Sequence, residues 1–77
     1  MNLKWTKDDD GWIVVGTEFT AKVSNPRGPL GFSHWSVWFG KRQGGSGGTR
    51  SVLQSKRAAE ADVARMMDFL RTEAATH

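Results

Sequence analysis

The sequence predicts an α+β fold in which an antiparallel β-meander of three to five strands packs on one C-terminal α-helix. Short segments alternate apolar and polar residues up to about residue 53, as half-buried strands do. From residue 56 the apolar spacing changes to that of a helix. The length of 77 residues leaves room for one domain. We therefore expect a single domain over residues 1–77, with strands across about 3–53 and a helix across about 56–74.

The first part of the chain predicts three strands. Residues 3–7 alternate, the Asp-Gly step at residues 10–11 favours a tight turn, and residues 12–15 form a β-branched run. Gly16 indicates a bulge or a bend. Residues 18–24 alternate again, which places Phe19, Ala21 and Val23 on one face. Trp5 and Trp12 are expected at the edge of the core.

The central part predicts a loop and the most aromatic strand. Residues 25–31 contain both prolines and two glycines and are expected to form the loop. Residues 33–39 alternate, with one face expected to join Phe19, Ala21 and Val23 in the core. That face carries Trp35, Val37 and Phe39, and the opposite face carries His34, Ser36 and Trp38.

Residues 41–48 are polar and rich in glycine, which predicts a long hairpin. The run Gly44–Gly48 has the composition of a flexible linker, and either a natural long loop or an engineered splice fits it. Residues 49–53 are expected to return as a last strand.

The C-terminal segment predicts the helix, with Ser55 as its N-cap. Phe69 is expected to seal the margin of the apolar stripe. The stripe contains Ala59, Val63, Met66, Met67, Leu70 and Ala74. Arg57, Ala61, Ala64, Arg65, Asp68 and Thr72 fall on the opposite, solvated side.

Charge is distributed unevenly along the chain. Residues 1–18 carry two lysines against four acids, and residues 60–77 carry two arginines against four acids. Residues 19–59 contain seven cations and no acid. Such a basic block attracts polyanions or an acidic partner, although a solvated basic loop would show the same composition.

One face of the predicted sheet stays uncovered by the helix, and it supplies the candidate binding residues. An outward tryptophan flanked by cations suits stacking on bases and contact with phosphates. A register slip of one residue would instead bury Trp38 and expose Trp35. We expect the five cations after residue 40 to cluster at one end of the sheet, beside the glycine hairpin and the helix start. The candidate contacts are Lys22, His34, Ser36, Trp38, Lys41, Arg42, Arg50, Lys56 and Arg57.

Several functional classes have little support in the sequence. There is no cysteine, two histidines do not make a zinc site, and no P-loop spacing follows the glycines. We expect no cofactor and no metal. A small layer with one helix rarely encloses a catalytic pocket, so we expect a binding module that is not an enzyme. No membrane span is expected.

The sequence resembles small accessory proteins of phages and prophages. The likeness covers nearly the whole chain and is carried by Trp12, the run 19–24, the run Trp35–Trp38, and Ser55 leading an alanine-rich helix. A weaker likeness is to the three-stranded-sheet-plus-helix DNA-binding domains at the amino termini of phage-type integrases and to double-stranded-RNA-binding domains, and residues 55–59 resemble the basic helix start of the latter. Glu60 and Asp62 depart from their basic helix start, and no residues remain for their amino-terminal helix.

These observations lead to a ranked set of partners. The leading hypothesis is contact with DNA or RNA through the basic, Trp-bearing sheet face. The alternative, implied by the phage resemblance, is a small inhibitor or adaptor that binds an acidic host protein in an anti-defence or host-takeover role. An open sheet edge would also allow a homodimer. The phage resemblance implies a cytoplasmic location in a bacterial host.

Overall fold

The computed structural model describes residues 3–26 and 31–75 and shows an α+β fold. Five antiparallel strands form one open sheet in chain order, and a single C-terminal helix packs on one side of it, against the last three strands. The predicted fold class is therefore confirmed. The elements are β1 (Thr6–Asp8), β2 (Gly11–Val15), β3 (Thr20–Ser24), β4 (Ser33–Phe39), β5 (Arg42–Thr49) and α1 (Val52–Ala75).

The turns between the first strands follow the glycines and aspartates of the sequence. Asp8 pairs with Gly11 around a two-residue turn. A Cβ on Gly11 would lie 2.0 Å from the carbonyl oxygen of Val23, so only glycine permits this approach of β2 to β3. Gly16 follows the end of β2 and donates its N–H to the carbonyl of Phe19 over 2.8 Å, which makes it a bend.

The prediction of a flexible glycine hairpin over residues 41–48 is wrong. The turn is confined to Gly40 and Lys41, and Gly40 has a φ of 64°, as the first central position of a type II′ turn requires. Residues 42–49 form β5, which at 8 residues is the longest strand of the sheet. Because the strand pairs with β4, the glycines are ordered elements of the fold.

Two glycines of β5, Gly45 and Gly47, lie where neighbouring groups come too close for a side chain. A Cβ on Gly45 would lie 2.6 Å from Oδ1 of Asp62, and one on Gly47 would lie 2.9 Å from Nε1 of Trp35. The Gly45 N–H donates to Oδ2 of Asp62 over 2.8 Å. This contact ties α1 to β5 beside an irregularity in the β4–β5 register. Helix and strand approach closely because the strand carries no side chains there.

The helix begins earlier than the sequence pattern predicts. Val52 is its first residue, and the amide three positions after Ser51 donates to the Ser51 hydroxyl over 3.1 Å. Ser51 is therefore the N-cap, and the predictions of a last strand over 49–53 and of an N-cap at Ser55 are wrong. Ser55 is buried, where its hydroxyl donates to the carbonyl of Ser33 over 3.2 Å and lies 2.7 Å from Oγ1 of Thr49.

The core lies between α1 and the middle of the sheet, much as predicted. Ala21 and Val37 are fully buried against the helix residues Ala59 and Val63. The half-buried residues packed on this cluster are Leu3, Trp5, Phe19, Trp35, Phe39 and Met67. Phe69 is 58% exposed, so its predicted sealing role is wrong. The side chain of Ala74 lies outside the described residues.

The amino-terminal segment is fastened to the helix by one carboxylate. Oε2 of Glu60 accepts hydrogen bonds from the backbone N–H of Leu3 and from Nε1 of Trp5, both at 3.0 Å. Nearby, Nζ of Lys56 lies 3.5 Å from the centroid of a Trp12 ring. Both tryptophans therefore sit on the helix side at the edge of the core, as expected.

Candidate nucleic-acid interface

The sheet side opposite α1, here called the open face, carries the sequence-predicted residues Lys22, His34, Ser36 and Trp38. Residues directly opposite each other on paired strands project from the same side. The pairs Lys22–Ser36 and Thr20–Trp38 therefore belong to one surface, while Ala21 and Val37 between them face the helix. The predicted register is confirmed, and the alternative that buries Trp38 is excluded.

Trp38 is the main aromatic group of the open face. Its side chain is 39% exposed, and its row across the sheet is completed by Val15, Thr20 and Gln43. Val15 is 72% exposed. Lys22 stands diagonally from Trp38, at a backbone separation of about 7–8 Å. A flat ring therefore lies within reach of a flexible cation, beside small polar residues and the branched apolar residues Ile13 and Val15.

A second feature of the open face lies around His34. The backbone N–H of His34 donates to Oγ of Ser24 over 3.1 Å, which fixes this end of β4 against β3. A cleft of about 400 Å³ opens next to it, lined by Ser24, Asn25, Gly31, Phe32 and His34. Phe32 and His34 are both exposed. Sequence reasoning missed Phe32, because the residue adjoins a proline- and glycine-containing loop, where alternation gives no face.

The prediction that five cations cluster at one end of the sheet is wrong. Lys41 and Arg42 lie at the β4–β5 turn, whereas Arg50 follows the far end of β5. Strand geometry separates Arg42 from Arg50 by roughly 25 Å. The glycine segment is extended, so it holds these groups apart.

The cations at the helix start are also distributed differently from the prediction. Lys56 is half-buried against Trp12 on the helix side of the sheet, so it does not reach the open face. Arg57 is exposed on α1. Of the predicted contacts with positive charge, Lys22 alone projects from the open face, and Lys41, Arg42 and Arg50 lie at the two ends of β5. Arg27 lies outside the described residues.

The sheet as a whole is electrically polarised. Asp8, Asp9 and Asp10 are exposed at and beside the β1 edge, while Lys41, Arg42 and Arg50 are exposed around β5 at the other edge. The strand order keeps these groups on opposite sides of the molecule. A polyanion would therefore meet its favourable potential on the β3–β5 half of the open face.

Among residues 3–26 and 31–75, no three His, Cys, Asp or Glu side chains form a group that could hold a metal ion. In the same part of the chain, no helix has the length and apolar character needed to cross a membrane. No protein-family model, curated protein or solved structure matches this sequence.

Proposed function

We propose that this protein is a binding module without enzymatic activity that holds a single-stranded nucleic acid on its open face. The observation that carries the proposal is the pair formed by Trp38 and Lys22, an exposed aromatic ring and a cation on the uncovered side of the sheet. Stacking of a base on an aromatic side chain contributes about 1–3 kcal/mol, and a lysine nearby neutralises a phosphate.

A single strand suits the open face better than a duplex. The surface is a broad sheet, and besides Trp38 its β3–β5 half carries small or polar residues, including Thr20, Ser36 and Ser46. Bases of a single strand are free to lie flat on such a platform. The exposed side of α1 mixes Arg57 and Arg65 with Asp68, which is unlike a helix that enters a groove of DNA.

Because the cations are spread apart, the affinity for nucleic acid is expected to depend less strongly on salt concentration. Lys22 projects from the open face, and Lys41 and Arg50 lie at its margins just beyond the two ends of β5, whereas Arg42 opposes Phe39 and projects from the helix side. Each phosphate neutralised on a single strand contributes about −0.7 to the slope of log affinity against log salt. Three contacts therefore give a slope of about −2, and the seven cations of the sequence block would have given a slope near −5.

The test is a titration of unstructured DNA and RNA oligonucleotides, followed by tryptophan fluorescence at two salt concentrations. Trp38→Ala is expected to weaken binding by about tenfold or more, and Lys22→Glu to weaken it and flatten the salt slope. Phe69→Ala and Arg71→Glu are matched controls, because both residues are exposed on α1 and away from the open face. Failure of the wild-type protein to bind at low salt would end this proposal.

A protein target is the second candidate, and the apolar part of the open face favours it. Val15 and Trp38 share one exposed row, and tryptophan is a frequent centre of protein interfaces. In this case the protein is a phage-type inhibitor or adaptor of an acidic host protein. A pull-down from bacterial lysate with and without nuclease separates the two: a band that survives nuclease and is lost with Trp38→Ala supports the inhibitor.

The proposal also includes a cellular location for this protein. The resemblance to phage and prophage accessory proteins supports action in the cytoplasm of a bacterial host, where both nucleic acid and acidic host proteins are available.

A further inference from the structure

The outer edge of β5 is an unpaired strand edge with a defined set of backbone groups. Within the described part of the chain β5 is the last strand of the sheet, with β4 as its one strand neighbour. Its 8 residues make it the longest strand, whereas the opposite edge strand, β1, has 3. A strand edge of this length can pair with another extended segment.

Hydrogen bonds on β4 reveal which groups of β5 face outward. The N–H of His34 donates to Oγ of Ser24, and the same hydroxyl lies 3.4 Å from the His34 carbonyl oxygen, so the backbone of His34 is turned toward β3. The N–H and C=O of His34 therefore point away from β5. In an antiparallel pair of strands, the residue opposite such a residue also directs its own N–H and C=O away from the shared interface. Gly48 opposes His34, so its N–H and C=O point to the free edge, and Ser46, two residues earlier, does the same.

The edge is also unobstructed by side chains. Packing accounts for Gly44, Gly45 and Gly47, because a Cβ at each would lie 3.2 Å or less from Asp62 or Trp35. It does not account for Gly48, where a Cβ would meet nothing nearer than 3.4 Å. The amide of Gly45 is occupied by Asp62, so the usable edge runs from Ser46 to Thr49.

Positive charge surrounds this edge. Arg42 and Arg50 are exposed at the two ends of β5. Arg65 is 75% exposed and pairs with Asp62, the residue that contacts Gly45, so it lies alongside the middle of the strand. Asp62 itself is buried, with its carboxylate bound by the Gly45 amide and by Arg65. An incoming segment therefore meets three exposed arginines.

The same charges argue against a second copy of this chain as the occupant. A two-fold antiparallel pairing of β5 about Ser46 would bring Arg42 of one copy beside Arg50 of the other at both ends. Like charges opposite each other on paired strands are destabilising. Pairing of β5 with the acidic edge β1 would join only 3 residues.

We propose that the free edge of β5 binds an extended acidic peptide, which adds as a sixth strand next to Ser46–Thr49 with its carboxylates near Arg42, Arg50 and Arg65. The backbone of Ser46 and Gly48 supplies the hydrogen bonds, and the arginines select for acidic residues. This site shares Arg50 with the margin of the open face but needs neither Trp38 nor Lys22, so it does not depend on nucleic-acid binding.

The experiment uses a capped fluorescent peptide of alternating threonine and valine, with glutamate at both ends and a length matched to the 8 residues of β5. Fluorescence anisotropy with the full chain is expected to show saturable binding, and the same peptide with lysine at both ends is expected to bind at least tenfold more weakly. Equal binding of the two peptides, or no binding of the acidic one, overturns the proposal.

Two substitutions at one position isolate the edge hydrogen bond. Gly48→Pro removes the outward N–H, and it leaves the β4 ladder intact because that N–H points away from β4. We expect it to weaken peptide binding by about three- to tenfold, while Gly48→Ala, which keeps the N–H, binds as the wild type does. Arg50→Glu should also weaken binding, and Lys22→Glu, an equal change of charge on the open face, should not.

Two further measurements guard the conclusion. Peptide binding to the wild-type chain should slow hydrogen exchange at the amides of Ser46 and Gly48, a readout that remains if Gly48→Pro fails to fold; unchanged exchange there overturns the proposal. Light scattering should give a mass near 8.5 kDa. A doubled mass that Gly48→Pro abolishes would assign the edge to a second copy instead. Trp38→Ala should leave peptide binding unchanged, so failure of one site is distinguishable from failure of the other.

Discussion

Replacing Gly45 by alanine tests whether the close contact between α1 and β5 holds the fold together. The new Cβ would lie 2.6 Å from Oδ1, 2.7 Å from Cγ and 2.9 Å from Oδ2 of Asp62. An exposed carboxylate would swing away at little cost. This one is buried and bound to the Gly45 amide and to Arg65, so it moves only by giving up those contacts.

The magnitude follows from two opposing effects. Alanine restricts the unfolded chain, which stabilises the fold by about 0.4–1 kcal/mol at a position with ordinary backbone angles, and Gly45 has no positive φ. Overpacking costs typically 1–3 kcal/mol, and the lost hydrogen bond adds about 1 kcal/mol. The net expectation is a loss of about 1–3 kcal/mol, which lowers the Tm by roughly 5–20 °C in a domain of this size.

The assay is reversible thermal and urea unfolding, followed by far-ultraviolet circular dichroism. Gly48→Ala is the matched control, since its Cβ meets only ordinary contacts, and it should leave the free energy of unfolding unchanged or raise it by up to about 1 kcal/mol. In an Asp62→Ala background the Gly45→Ala penalty should nearly vanish, giving a coupling energy of about 1 kcal/mol or more. Equal stability of the Gly45 and Gly48 variants would refute this account of the glycine strand.

Three other contacts give separate expectations, all measured by the same unfolding assay. Ser51→Ala removes the N-cap of α1 and should cost about 1 kcal/mol, and Ser51→Asp should retain most of the stability; no difference between the two would contradict the capping role. Glu60→Ala leaves the Trp5 indole N–H without its acceptor and should cost about 1–3 kcal/mol, with Glu60→Gln recovering part of it. Lys56→Met keeps the aliphatic contact with Trp12 and loses its charge, so a loss of about 0.5–1 kcal/mol is expected, and an unchanged stability would argue against a cation–π contribution.

Alternation and helical spacing were sufficient for the fold class and for the two sheet faces. Ala21, Val23 and Val37 are buried, as their period-2 pattern predicts, and the outward position of Trp38 follows from the same register. These patterns succeed because their periodicity follows directly from which apolar side chains are buried.

The glycine composition gives a wrong prediction of flexibility because composition contains no information about tertiary contacts. Glycine is a weak strand former, so the composition of Gly44–Gly48 predicts a flexible segment. The strand forms because β4 supplies a ladder on one side and Asp62 reaches the Gly45 amide from the helix, a contact between residues that are 17 positions apart in sequence. The early start of the helix also depends on a tertiary contact. Either Ser51 or Ser55 could cap the helix, but the Ser55 hydroxyl is buried and donates to the Ser33 carbonyl, so Ser51 is the cap.

That error also moved the candidate site. A compact hairpin would bring Lys41, Arg42 and Arg50 close to Arg57. The extended β5 instead spreads Lys41, Arg42 and Arg50 along one edge of the sheet. The open face is left with Lys22 as its cation and Trp38 as its aromatic group, which suits a short contact with a single strand. The arginines Arg42, Arg50 and Arg65 lie along the free edge of β5, where a bound peptide would lie beside the strand.

The glycine strand therefore connects stability with recognition. Gly45 and Gly47 face groups that leave no room for a side chain, which brings α1 close and completes the core. Gly48 has that room and still carries no side chain, and its backbone is directed at the free edge. Because the packing glycines and the edge glycine occupy different positions, stability and peptide binding are separable by mutation. A protein in which Gly48→Ala leaves folding and binding intact, Gly48→Pro loses binding alone and Gly45→Ala loses stability would show both roles within one strand.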